Sequence, residues 1–133
     1  RLGEEGRGFQ YILHGMNPER ILIAAEAVGL GQIALSRAAA YAKNRIVFNR
    51  PIGMNQGIQH PLAANWMALE AANLMVFKAA WLYDEGKPAG AESNAAKYLA
   101  GLAASLVITP REIHSLISEW SRESASRLRS RSR

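Results

Sequence analysis

The sequence predicts an all-α protein built as a bundle of three to four helices. Apolar residues make up 49% of the chain but aromatic residues only 8%, a balance that favours packed helices over a β-sandwich. Apolar positions also recur at helical spacing through two long segments, which Pro51 and Gly53 separate. At 133 residues the chain has the length of a single domain and can bury a moderate core.

The first helix is predicted to begin at Asn17 and to end near Asn44. Residues 1–16 are Gly-rich and mixed, so we expect a short extended segment there. In Asn17-Pro18-Glu19-Arg20, Asn is favoured at the N-cap, Pro at the first helical position and Glu in the first turn. Residues 21–35 are apolar nearly all round the helix, which predicts a central position in the bundle.

Two glycines, Gly29 and Gly31, weaken this helix locally, but they would permit close approach of a neighbouring helix. A second helix is expected from about residue 55 to 85, ended by Gly86-Lys87-Pro88. Its helically spaced apolar positions are Leu62, Trp66, Leu69, Ala72, Val76, Ala79, Ala80 and Tyr83. We therefore interpret Trp66, Trp81 and Tyr83 as core residues rather than as a stacking surface.

A third helix is expected from about residue 91 to 107 and a fourth from about 111 to 120. Residues 121–133 carry five arginines and one acid and have too little apolar content to pack, which predicts a disordered basic tail. The predicted organisation is an extended segment over 1–16, a helical domain over 17–120 and a tail over 121–133.

Composition argues against several functional classes. The net charge of +5 lies mostly in the tail, so it gives little reason to expect nucleic-acid binding. Cysteine is absent and the three histidines are scattered, so we expect no metal site. Glu26 interrupts the longest apolar run, and the charged residues 1–7 precede no apolar signal region, so neither a membrane span nor a targeting signal is predicted.

The segment between the first two helices is R-I-V-F-N-R-P-I-G-M-N-Q, residues 45–56. It resembles the R-x-x-F-G-x-x-I-x-x-x-Q signature of the acyl-CoA dehydrogenases. Arg45, Phe48, Ile52 and Gln56 match, whereas Asn49 stands where that family usually has Gly. The resemblance extends from about residue 3 to 100 and includes Gln59-His60-Pro61-Leu62-Ala63 and Ala96-Lys97.

The resemblance implies the C-terminal helical domain of an FAD enzyme that dehydrogenates an acyl-CoA thioester at its α and β carbons. A carboxylate would take the α-proton while the β-hydrogen leaves as hydride to the flavin. Dimers or tetramers, an electron-transferring flavoprotein as partner, and a bacterial cytoplasmic or mitochondrial location are implied as well. Relatives carry further domains before this segment and a Q-x-x-G-G-x-G loop after it. The last part of the chain does not match the family. Truncation, gene decay and a shifted reading frame would each explain this difference, and the sequence does not choose among them. We expect the chain alone to be inactive.

By the same resemblance, Arg45, Phe48 and Gln56 would lie near the FAD of a neighbouring subunit. A guanidinium suits a pyrophosphate because its planar fork donates two parallel hydrogen bonds. Structural alternatives exist for each residue: Arg45 could complement the helix terminus, Phe48 could plug the helix junction and Gln56 could cap the second helix.

Glu19 is the candidate catalytic base. Most relatives place this carboxylate in a later loop, but a minority place it directly before the Arg that opens the first bundle helix, and Glu19-Arg20 occupies that place. Arg20 would orient the acid or line the acyl pocket. The alternative is a Glu in the first helical turn, stabilised by the helix dipole. For the whole chain, the competing hypothesis is a non-catalytic helical interaction module with a basic tail.

Overall fold

The computed structural model describes residues 3–108, which form three long helices with a small hairpin between the first two. The elements in chain order are α1 (Gly8–Asn44), β1 (Ile46–Val47), β2 (Arg50–Pro51), a 3-10 turn (Ile52–Met54), α2 (Gln56–Asp84) and α3 (Gly90–Ile108). The all-α bundle is therefore confirmed. The predicted fourth helix and basic tail lie outside the described residues.

The predicted start of the first helix is wrong. α1 begins at Gly8, so most of the expected extended segment is helical and both Asn17 and Pro18 lie inside the helix. Pro18 has no N–H to donate, which removes one helical hydrogen bond, but the remaining backbone groups of residues 8–16 pair along the helix. Residues 8–16 are exposed and contribute no side chain to the core of the bundle.

Small and aliphatic residues from all three helices form one core. From α1 these are Ile21, Ala24, Val28 and Leu35; from α2, Leu69, Ala72, Val76 and Ala79; from α3, Ala96, Ala100, Ala103 and Val107. Gly31 shows why the helices can approach so closely. A Cβ at this position would lie 2.5 Å from Cδ2 of Leu69 and 3.4 Å from the Cα of Ala104. The predicted role of Gly31 in helix packing is confirmed, whereas Gly29 has no such neighbour within 4 Å.

The connection between α2 and α3 follows the predicted stop. Gly86 has a φ of +66°, the left-handed conformation that commonly ends a helix, and its N–H donates to the carbonyl of Tyr83 at 3.0 Å. Across this connection, Lys78 Nζ lies 3.3 Å from Glu92 Oε1. A backbone hydrogen bond at the start of α3 is the main reason that the pKa of Glu92 lies below its usual range. The hydrogen bond from Lys78 lowers this pKa further.

The interpretation of both tryptophans on α2 as core residues is wrong. Trp66 is 57% exposed and Trp81 53% exposed, whereas Tyr83 is half-buried against the core. Trp81 follows the buried Ala79 by two residues, about 200° around the helix, so it faces away from the bundle. There its ring contacts Lys87, whose Nζ lies 4.2 Å from the ring centroid.

α1 is central in the sense that it packs on both other helices, yet its opposite face is exposed. Leu22, Leu30 and Ile33 are all more than half exposed. Measured by length and composition alone, α1 could cross a membrane, since an 18-residue window has a mean hydropathy of 1.4. A core helix of a soluble bundle has the same composition, and the buried residues of α1 pack on α2 and α3.

We expect the isolated chain to self-associate. Large apolar side chains are exposed on all three helices, and contiguous apolar surfaces of this kind seldom remain in contact with water. Sedimentation velocity over a range of concentrations should show species larger than the monomer, with helical circular dichroism retained. A strictly monomeric chain with a cooperative thermal transition would contradict this expectation.

Candidate functional site

The candidate site is built on the hairpin that joins α1 to α2. α1 ends at Asn44, and the N–H of Arg45 still donates to the carbonyl of Tyr41 at 2.8 Å. β1 and β2 then pair antiparallel, with Ile46 opposite Pro51 and Val47 opposite Arg50. The two residues between the strands, Phe48 and Asn49, have φ values of +50° and +63°. Two consecutive positive φ values are typical of a type I′ hairpin turn.

Asn49 occupies a position that favours glycine, because its φ lies in the left-handed region. Asn tolerates this region better than other residues with a side chain. The Asn in place of the family's Gly is therefore compatible with the same turn. Gly53 serves the packing of the segment, since a Cβ there would lie 3.0 Å from the carbonyl oxygen of Ala42 in α1.

The hairpin brings Arg45, Phe48 and Gln56 into one short stretch between two helices. Arg45 is half-buried at the C-terminal end of α1, where its charge also complements the helix dipole. Phe48 is 95% exposed, so the interpretation that it plugs the helix junction is wrong. Gln56 is the exposed first residue of α2, and Asn55 holds the N-cap position, so the interpretation of Gln56 as the cap is also wrong.

These three side chains fit an anionic ligand that contains aromatic rings. A guanidinium binds a phosphate through two parallel hydrogen bonds. An exposed phenyl ring offers a stacking face, and a side-chain amide both donates and accepts hydrogen bonds. FAD combines a pyrophosphate with two ring systems, so the side chains of the hairpin match the groups that it presents.

Glu19 and Arg20 lie on α1, well away from the hairpin. Glu19 is exposed, and Arg20 is half-buried with its Nη1 3.4 Å from Oδ1 of Asn17. Because α1 begins at Gly8, Glu19 lies in the helix interior and not in its first turn. The alternative role in which the dipole at the helix start stabilises Glu19 is therefore wrong.

A shallow depression lies beside this part of α1, against the α2–α3 connection. Its volume is about 270 Å³, and His14, Asn17, Tyr83 and Lys87 are among the residues that line it. The rings of His14 and Tyr83 are 5.9 Å apart. Pockets for small molecules usually enclose roughly 300–1,000 Å³, so this depression alone is too small for an acyl-CoA. Glu19 and Arg20 are not among its lining residues within the described part of the chain.

The structure places the candidate base and the hairpin at widely separated points of α1. Glu19 precedes Arg45 by 26 residues of helix, which corresponds to about 40 Å at 1.5 Å per residue. Residues this far apart do not touch the same reacting group. Within one chain, Glu19 and Arg45 are therefore too far apart to touch one group.

Two further polar contacts of the hairpin were not predicted from the sequence. Arg50 Nη2 donates to Oδ1 of Asn55 at 2.6 Å, and Gln59 Nε2 donates to the carbonyl of Gly53 at 2.8 Å. An Asn before a helix is ordinarily interpreted as its cap. That interpretation does not predict a hydrogen bond from Arg50, five residues upstream. Among residues 3–108, no group of three or more His, Cys, Asp or Glu residues is arranged to hold a metal ion.

Comparison with known proteins identifies the family. The family model described as acyl-CoA dehydrogenase, C-terminal domain, matches residues 6–114. The chain belongs to the acyl-CoA dehydrogenase family. An acyl-CoA dehydrogenase of Mycobacterium tuberculosis is 47% identical over 109 residues, which cover 80% of this chain and 28% of the relative. The chain thus spans little more than a quarter of that relative's length.

Solved structures of the family show the same arrangement of helices. The butyryl-CoA dehydrogenase of Megasphaera elsdenii superposes with a TM-score of 0.75 at 39% identity, over 79% of this chain and 27% of the other. A chain in the structure of an electron transferring flavoprotein of Acidaminococcus fermentans also gives a TM-score of 0.75, at 37% identity, over 79% of this chain and 28% of that one. The acyl-CoA dehydrogenase fold of residues 3–108 thus recurs in experimental structures.

Proposed function

We propose that this chain is the C-terminal part of a flavin-dependent acyl-CoA dehydrogenase that removes hydrogen from the α and β carbons of an acyl-CoA thioester. The observation that supports this most strongly is the hairpin, where Arg45, Phe48 and Gln56 occur together in a family whose relatives include butyryl-CoA dehydrogenase. Bound FAD would supply the acceptor for the β-hydrogen, which leaves as hydride.

In this proposal the hairpin binds the FAD of a neighbouring copy. Arg45 pairs with its pyrophosphate, Phe48 packs on a ring system and Gln56 forms hydrogen bonds to the dinucleotide. The separation of about 40 Å along α1 supports the assignment to different copies, because one chain would have to place Glu19 at the reacting end of the same FAD whose pyrophosphate Arg45 binds. The assembly would accordingly be a dimer or tetramer.

Glu19 is proposed as the base that takes the α-proton, with Arg20 beside it to orient the carboxylate. A carboxylate works as a base when its pocket excludes most water. Glu19 is exposed on α1, so its pocket needs a cover from outside residues 3–108. Because this cover is missing from residues 3–108, we propose that the isolated chain is inactive.

Electron-transferring flavoprotein is proposed as the partner that reoxidises the flavin. One solved chain with the same fold comes from the structure of such a protein, which supports this type of partner. The proposed location is the bacterial cytoplasm or the mitochondrion.

A chimera tests the proposed function directly. Residues 6–114 of this chain would replace the matching C-terminal segment of the Mycobacterium tuberculosis relative. The chimera should bind FAD and reduce it with an acyl-CoA. Arg45→Ala should weaken FAD binding by about 10- to 100-fold, the usual effect of losing a charge-assisted hydrogen bond. Arg37→Ala, an exposed arginine of α1, is the matched control and should bind FAD normally.

The isolated chain should carry no stoichiometric flavin after purification. Arg45, Phe48 and Gln56 supply one wall of a site, and the exposure of Phe48 shows that no second wall forms within the described residues. Absorbance near the flavin bands and extraction of the cofactor would measure the content. One equivalent of FAD bound to the isolated chain would show that other residues make the site.

A further inference from the structure

The turn at Phe48 and Asn49 takes a backbone conformation that is costly for these residues. Both φ values are positive, a region that glycine enters freely, that Asn tolerates and that a bulky Phe rarely adopts. The phenyl ring is almost completely exposed, so packing within the described chain does not offset this cost. Interactions around the turn must therefore hold it in place.

The strands themselves provide little of that support. β1 and β2 contain two residues each, and one of their two residue pairs includes Pro51, which has no N–H to donate. A two-stranded hairpin is marginally stable in water even when it is longer. The hydrogen bonds between these strands are thus insufficient to fix the hairpin on the bundle.

Three further hydrogen bonds connect the hairpin to its surroundings. The N–H of Ile52 donates to the carbonyl of Arg45 at 2.9 Å and closes the base of the hairpin. Gln59 Nε2, on α2, donates to the carbonyl of Gly53 at 2.8 Å. Arg50 Nη2, on β2, donates to Oδ1 of Asn55 at 2.6 Å. We call the Arg50–Asn55 pair the brace.

The brace replaces a helix cap. Asn55 holds the N-cap position of α2, where the side-chain oxygen of an Asn normally accepts a hydrogen bond from the second or third helical N–H. Within residues 3–108 this side chain makes no capping bond and accepts from Arg50 instead. Asn55 therefore fixes the direction of the hairpin relative to α2 rather than the start of the helix.

We propose that Arg50 and Asn55 are positioning residues, which lock the turn in the conformation that presents Phe48, Arg45 and Gln56 together to the FAD of a neighbouring copy. The identity of the ligand rests on the proposed function. The contribution of the brace to locking the turn rests on the hairpin geometry and does not depend on the identity of the ligand. Neither Arg50 nor Asn55 is required to touch the cofactor, because both act through the backbone of the hairpin.

Hydrogen–deuterium exchange of the chain tests the brace. In Asn55→Ala and in Arg50→Gln, peptides covering residues 46–54 should exchange about fivefold faster than in the wild type, the change expected for one lost hydrogen bond. Peptides from α1 and α3 should be unchanged. Asn55→Asp keeps the acceptor oxygen and adds a charge, so its hairpin should exchange as slowly as the wild type or more slowly. Arg37→Gln on α1 and Asn94→Ala on α3 change exposed residues of the same types and serve as controls.

Three results would overturn the proposal. Equal hairpin exchange in the wild type, Asn55→Ala and Arg50→Gln would show that the brace does not hold the turn. Faster exchange in Asn55→Asp as well would show that an acceptor oxygen at position 55 is not what holds the turn. Faster exchange throughout the chain would reveal a general loss of stability. The proposed function fails separately, through a chimera that binds no FAD, and that result would leave the exchange data to decide the brace.

Discussion

Glu19→Gln in the chimera should slow the reduction of the flavin by acyl-CoA by about 100- to 10,000-fold, the usual contribution of a positioned general base. The substitution keeps the shape of the side chain and its capacity for hydrogen bonds but removes the basicity. FAD should remain bound, because in the proposed assembly Arg45, Phe48 and Gln56 hold the cofactor and Glu19 does not. Stopped-flow measurement of flavin bleaching gives the rate directly.

Glu26→Gln is the matched control for this substitution. Glu26 is an exposed glutamate on the same helix, about two turns further on. Its substitution should leave the reduction rate within about twofold, since surface changes away from a site rarely have larger effects. An unchanged rate in Glu19→Gln would place the base elsewhere and leave Glu19 as a surface residue of α1.

Leu69→Ala should lower the free energy of unfolding by about 3 kcal/mol, within the range for a buried leucine that leaves a cavity. Leu69 is completely buried between the three helices, and its Cδ2 occupies the space that a side chain on Gly31 would take. Urea unfolding followed by circular dichroism measures the change. The slope of the transition should stay constant, because the surface exposed on unfolding hardly changes.

Leu74→Ala removes the same atoms from the exposed side of α2, where Leu74 is 70% exposed, and is the matched control. Its effect should stay within about 0.5 kcal/mol. Gly31→Ala added to Leu69→Ala should restore part of the loss, because the new methyl group fills the space that Cδ2 leaves. Equal losses for Leu69→Ala and Leu74→Ala would contradict the described core.

The sequence predicted α2 and α3 well, because their ends depend on local chemistry. Pro51 and Gly53 interrupt the helical pattern before α2, and Gly86 takes the left-handed conformation that ends it. The small residue at Gly31 likewise predicted a close helix contact that the structure confirms. In these cases a residue's own backbone preference decides the structure.

The start of α1 could not be predicted in this way. Asn17-Pro18 carries every local mark of a helix start, yet α1 passes through it and loses only the hydrogen bond that Pro18 cannot donate. The exposed tryptophans of α2 illustrate a second limit. Helical spacing shows which residues share a face, but the number of neighbouring helices decides which face is covered.

For the candidate site, the sequence identified Arg45, Phe48 and Gln56 but not their support. The brace depends on the folded path of the hairpin, which turns Arg50 towards the start of α2. The separation of Glu19 from Arg45 follows only once α1 is known to be continuous between them. Neither feature has a signal in residue spacing alone.

In the proposed assembly, Glu19 and Arg45 of one chain serve two different active sites. Mixing Glu19→Gln and Arg45→Ala chimeras under conditions that exchange subunits tests it most directly. In a dimer that binds FAD between copies, one of the two sites of each mixed dimer keeps both native residues. At an FAD concentration that fills the wild-type site but not the weakened Arg45→Ala site, each variant alone should have little activity. Random mixing of equal amounts should then restore about a quarter of the wild-type activity. Activity that stays at the level of the separate variants, with subunit exchange verified, would contradict the account.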